Sequence, residues 1–130
     1  MANPSIELQK SIYNKLNSGV YEVVEIKPQN LTFPYIEIGE EIQRDSNTKS
    51  HLRTVHNVTI HTFSKGNDSI PSKEINHFVK ESILNLDNVN GFEVDMVSLD
   101  MMMTLKEQET DGTIFHGIIQ IQITLEGDDR

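Results

Sequence analysis

The stretch Thr113-Ile114-Phe115-His116-Gly117-Ile118-Ile119-Gln120-Ile121-Gln122-Ile123-Thr124-Leu125 decides the fold. Successive side chains of a strand point to opposite faces. Phe115, Ile119, Ile121, Ile123 and Leu125 therefore point one way, and His116, Gln120, Gln122 and Thr124 the other. This predicts a sheet with one buried face and one face that is wet or meets a partner. The same polar residues interrupt the longest mostly apolar run, 118–125, so no segment is expected to span a membrane.

Working back from that strand, 92–99 and 101–107 read as two more strands, set off by the stop signal Asn88-Val89-Asn90-Gly91. Met101, Met102 and Met103 are consecutive, so at least one must lie on the outer face, where Met suits an adaptable interface; core filling accounts for the rest, with Met96. Ile75, Phe78, Val79, Ile83 and Leu86 form a helical stripe, with Lys73, Glu74, Lys80 and Glu81 outside it and Ser69 or Ser72 as the cap. Segment 51–63 reads as a strand, with Val58, Ile60 and Thr62 on one face and Thr59 and His61 on the other. Segment 35–42 reads as another, entered through Phe33-Pro34-Tyr35. Between them, 43–50 holds no apolar residue, so 40–50 is expected to be a polar extended loop or hairpin. A short strand falls within 20–26. The first element is a helix with Leu8, Ile12 and Leu16 on one face, Ser5 as its N-cap and Gly19 as a left-handed C-cap.

The fold class is thus α+β: one domain over 1–130, a mainly antiparallel sheet, and two amphipathic helices packed on one face. Residues 126–130 are expected to fray. At 130 residues the chain buries roughly 65–70% of its unfolded surface, enough for a core without staples.

Composition excludes several functions. There is no Cys, hence no disulfide framework, thiolate zinc site, redox pair or cysteine nucleophile. Eleven basic against 20 acidic residues give a net charge of -9, the opposite of the basic stripe of a duplex binder. Met-Ala-Asn-Pro-Ser has neither the charged nor the apolar region of a signal peptide, so a soluble intracellular protein is expected.

Candidate chemistry is sparse. His51, His56 and His61 are spaced by five, which puts neighbours on opposite faces of a strand. His51 and His61 share a face but lie roughly 33 Å apart at the strand rise, too far for one metal. His116 falls on the polar face of the last strand and His77 on the second helix. Surface histidine is the reading favoured for all five, and a pair meeting across strands stays open. Glu93 and Asp95 could share a face at a glycosidase-like separation, but the chain has no Trp to supply a sugar platform. Glu40-Glu41 and Asp128-Asp129 are the other carboxylate doublets. GxSxG, GxxxxGK[ST] and GxGxxG motifs are absent. No catalytic residue, metal ligand or cofactor site is expected.

Certain strings recur in a fixed order. They are Leu8-Gln9-Lys10-Ser11-Ile12-Tyr13-Asn14-Lys15-Leu16, Gly19-Val20-Tyr21, and Phe33-Pro34-Tyr35-Ile36-Glu37-Ile38-Gly39-Glu40. After a polar stretch follow Val58-Thr59-Ile60-His61-Thr62-Phe63-Ser64, a helix, and Thr113-Ile114-Phe115-His116-Gly117. This order resembles the tail completion proteins of long-tailed bacteriophages, also described as tail-to-head joining or tail terminator proteins. The resemblance runs from about residue 6 to 125 and rests on order and spacing, since each string is ordinary. Segment 20–31 departs from it, being longer than the family's usual passage.

The resemblance implies a virion structural protein without catalysis or cofactor, made in the host cytoplasm. Such subunits form a ring, commonly hexameric, that caps the head-proximal end of the tail tube, and they can be monomers beforehand. Implied partners are further copies of the chain, the tail tube protein and the head connector protein. The genome passes through without specific binding, which suits an acidic wall. Glu40, Glu41, Arg44, Asp45 and Lys49 are then the candidate contacts to a neighbouring subunit or ring. Alternatives are another head–tail connector or tube subunit, a small cytoplasmic α+β enzyme using His56, His61 or His116, or a binding module with a groove beside 101–103.

Overall fold

Asn3 starts the first helix, α1 (Pro4–Leu16), in the computed structural model, which describes residues 2–127. Its side-chain oxygen accepts from the Ser5 and Ile6 amides, and Pro4, which has no amide hydrogen to satisfy, takes the first helical position. The cap is therefore Asn3 rather than Ser5, whose hydroxyl is free to reach across to Glu41. Leu8, Ile12 and Leu16 are buried as their spacing requires. The helix closes on Asn17 in a right-handed conformation, so Gly19 is not a left-handed cap. Gly19 serves instead by lacking a side chain: a β-carbon there would overlap the Phe78 ring.

The remaining elements are β1 (Glu22–Val24), β2 (Tyr35–Asp45), β3 (Leu52–Gly66), α2 (Ile70–Leu84), β4 (Glu93–Glu109) and β5 (Gly112–Gly127). They form a five-stranded sheet in the order β1-β2-β3-β5-β4. Only β1 and β2 run parallel, and the other neighbours are antiparallel. The β2–β3 and β4–β5 pairs are hairpins, and α2 carries the chain from β3 over β5 to the far edge. The chain is α+β, mainly antiparallel, with both helices on one face.

Three expectations about strands change. β2 runs past its expected end at Ile42, pairing Gln43, Arg44 and Asp45 with His56, Val55 and Thr54, so of loop or hairpin the hairpin forms and its connection is confined to 46–51. Polar side chains do not prevent pairing where the partner strand supplies the ladder. Segments 92–99 and 101–107 are one strand, β4, whose register shifts between Val94 and Met96 and between Leu99 and Met101. Bulges at Asp95 and Asp100 absorb what reads in sequence as a break. Glu126 and Gly127 belong to β5 instead of fraying, because they pair with Arg53 and Leu52. Residues 128–130 of the expected frayed tail, and with them Asp128-Asp129, lie outside the described residues.

One apolar cluster fills the space between helices and sheet. Ile75, Val79 and Ile83 of α2 are fully enclosed against Val58, Ile60, Ile119 and Ile121, and each such side chain contributes about 1.5–3 kcal/mol. Leu86, just past the end of α2, joins the same core. At the start of α2, Ser69 is the cap residue but makes no side-chain bond; Asp68 accepts from the Ile70 amide. Ser72 is buried within the helix.

A polar seam crosses this core. Asn76 of α2 pairs with the Thr62 hydroxyl and donates to Thr104 at 3.1 Å. The seam fits because Gly117 opposite has no β-carbon, which would overlap both Asn76 and Thr62. Gly117 thus sets how closely α2 lies on the sheet.

Candidate functional site

The bulge in β2 between Ile38 and Glu41 makes the most consequential local arrangement. It inserts one residue into the alternation, so that Glu41 rather than Glu40 shares the helix-side face with Ile36 and Ile38, and the two carboxylates engage different histidines.

Glu41 turns toward the helices. Its Oε2 accepts from His56 Nδ1 at 2.6 Å and its Oε1 from the Ser5 hydroxyl at 2.8 Å. His56 Nε2 in turn lies 2.8 Å from the Thr54 hydroxyl. Burial alone would raise the Glu41 carboxyl, but the bonds from His56 and Ser5, with the His56 charge, hold it below its ordinary value. Hydroxyl, imidazole and carboxylate stand here in the order of a nucleophilic triad. His56 is 0% exposed, however, and Ser5 closes the carboxylate's other side, so the group clamps α1 to the β2–β3 hairpin. This corrects the surface reading for His56. Its place was legible in the alternation, since it has the same parity as Val58, Ile60 and Thr62.

Glu40 engages the uncovered face. Its Oε1 accepts from His61 Nε2 at 2.9 Å, and that bond holds the Glu40 carboxyl below its ordinary value. His61 Nδ1 lies 2.8 Å from His116 Nε2, and His116 Nδ1 lies 3.3 Å from Glu107 Oε1. One chain of hydrogen bonds therefore links β2, β3, β5 and β4. The rings rest on aromatic neighbours: Phe63 stacks on His116 at 4.4 Å and on Tyr35 at 4.9 Å. Lys27 and Lys65 lie over the Phe33 ring beside them. Burial, then the charges of Glu37 and Glu107, raise the Tyr35 hydroxyl. The cross-strand histidine pair left open by the sequence is thus formed by His61 and His116. His51 and His77 are exposed.

The same uncovered face carries an apolar patch. By register Met96, Met101, Met103 and Leu105 share it with Ile118, while Met102 is opposite Ile119 on the helix side. Met96 is about half exposed, and Met103 and Leu105 are each 40% exposed. The expectation that consecutive methionines split between the two faces holds, but core filling does not: Met96, Met102 and Met103 are exposed, and none of the four methionines joins the buried cluster, because β4 is the edge strand of the sheet.

The five candidate contact residues do not form one surface. Glu40 and Glu41 are engaged at the bulge; Arg44 and Asp45 sit on the β2 arm, Arg44 donating to Asn57 at 3.2 Å, and exposed Lys49 lies in the loop beyond. Asp95 at its bulge is ion-paired with Arg53 at 2.9 Å rather than set with Glu93. A groove of about 560 Å³ beside α1, between Ile6, Tyr13, Glu25 and Ile38, contains no histidine. Among the described residues no three His, Asp or Glu side chains gather to hold a metal, and no helix is long and apolar enough to cross a membrane.

No family model matches the chain, and no curated protein matches it. Among solved structures, a chain of a particle described as the virion of a native gene transfer agent has the same fold. The TM-score is 0.83 over 98% of this chain and 100% of that one, at 15% sequence identity.

Proposed function

We propose that this chain is a non-catalytic phage virion protein that caps the head-proximal end of the tail tube as a ring and joins the tail to the head connector. The observation that carries the proposal is the end-to-end likeness of fold to a chain of a gene transfer agent virion. Two sequence features point the same way: the ordered strings that resemble tail completion proteins, and the net charge of -9, which favours passage of a polyanion over its retention.

The surface suits assembly. The uncovered sheet face offers methionines and leucine for contact with a second copy, a tube subunit or a connector subunit, and the loop at 46–51 projects between the β2 and β3 arms. In this reading Arg44, Asp45 and Lys49 make rim contacts between subunits, while Glu40 and Glu41 act from within by shaping the hairpin.

Electron microscopy of lysates after deleting this gene from its parent genome tests the proposal. Full heads beside unattached tails, or tails of irregular length, are expected. Intact infectious particles would overturn it, and so would loss of the heads themselves, which would assign the chain to an earlier step.

A further inference from the structure

The chain from Glu40 through His61 and His116 to Glu107 contains a proton-count problem. Ionised carboxylates only accept hydrogen bonds, so Glu40 requires a hydrogen on His61 Nε2 and Glu107 one on His116 Nδ1. In the neutral rings that leaves His61 Nδ1 and His116 Nε2 as bare lone pairs facing each other at 2.8 Å. A proton or a metal ion between them relieves this, whereas moving the His116 hydrogen to Nε2 would give up the bond to Glu107.

We propose that His61 Nδ1 and His116 Nε2 are the two protein ligands of a divalent transition-metal site on the uncovered sheet face, zinc being the representative ion. Histidines that bind such metals donate their other ring hydrogen to a carboxylate, which fixes the tautomer and raises ligand basicity. Glu40 and Glu107 already do this on both sides. Two imidazoles on one tetrahedral zinc stand about 3.3 Å apart, so the rings need to separate by only about half an ångström.

The surroundings hold the rings ready. A β-carbon on Gly39 would lie 2.7 Å from the His61 ring and 2.9 Å from the Thr59 carbonyl, so glycine leaves the slot in which that ring sits. Phe63 backs His116. Both histidine side chains keep 17% of their surface in solvent, so the ion's other positions take water or a side chain from a partner. Imidazole donors select this class of metal over magnesium or calcium. The site is independent of any role in a tail.

Titration calorimetry of untagged, chelator-treated protein with zinc chloride, and separately with magnesium chloride, tests the site. One zinc per chain is expected, with no heat from magnesium. His61→Ala and His116→Ala should abolish binding, Glu40→Gln should weaken it roughly 10–100-fold, and His51→Ala and His77→Ala should leave it intact. Absence of zinc binding, or binding that survives both His61→Ala and His116→Ala, would overturn the proposal. Circular dichroism checks the fold of each variant. If an alanine variant unfolds, Glu40→Gln and Glu107→Gln decide, and unchanged zinc affinity in both rejects the site.

Discussion

A β-carbon on Gly117 would overlap the side-chain oxygen of Asn76, so a single hydrogen at position 117 lets α2 lie against β5. Gly117→Ala should destabilise the protein by about 1–3 kcal/mol through overpacking, read as a lower urea midpoint with an unchanged slope. In an Asn76→Ala, Thr62→Ala background the same change should be nearly neutral. An equal loss in both backgrounds would show that Gly117 acts otherwise, since residues in contact are expected to couple.

The Glu41–His56 clamp predicts an acid dependence. Glu41 is held below its ordinary value of 4.5 in the folded chain. Its contribution is therefore fully present above the unfolded value and is lost as pH falls through the lower, folded one. Urea unfolding from about pH 7 down to 3 should show Glu41→Gln less stable than the parent at neutral pH. The two should converge in acid. Parallel curves would remove Glu41 from the acid response.

His56→Ala strands the Glu41 carboxylate beside the core and should cost about 3 kcal/mol or more, as expected for a buried pair that loses one partner. Removing both partners, with Glu41→Leu in the same chain, should recover part of the loss. Thermal melts of the three variants check this.

The two sheet faces should respond differently to truncation. Ile119→Ala opens a cavity under α2 and should cost about 2–5 kcal/mol. Met103→Ser on the uncovered face should change stability by less than about 0.5 kcal/mol. In the ring reading, Met103→Ser should instead lower incorporation into particles. Normal incorporation would take Met103 out of the contact.

Reversing charge at Asp45 and Lys49 tests the hairpin without disturbing its rungs, because both side chains are exposed. The double variant should fold as the parent does and assemble poorly. Normal particle yield would mean that the tip faces solvent in the assembled state.

The periodicities of the sequence determined the class of fold and its inner face. Alternation in β5 and the stripes of α1 and α2 depend only on neighbours along the chain, so Ile119, Ile121, Ile123, Ile75 and Ile83 could be placed in the core unaided. The parity of His56 with Val58 and Ile60 held the same information. The split of Met101 and Met103 from Met102 followed from alternation too.

Register and bulges could be decided only by the tertiary structure. Alternation by itself puts Glu40 and Glu41 on opposite faces, and nothing local says that a bulge turns Glu41 rather than Glu40 toward the helices. Leu99 and Met101 read as two strands because Asp100 breaks the pattern, while the β5 ladder carries one strand through it. His61 meets His116 across 55 positions of sequence because β5 returns between β3 and β4. Side-chain periodicity is a property of one strand. Pairing is settled by the summed hydrogen bonds and packing of several strands, which is why the core was legible in the sequence and the histidine chain was not.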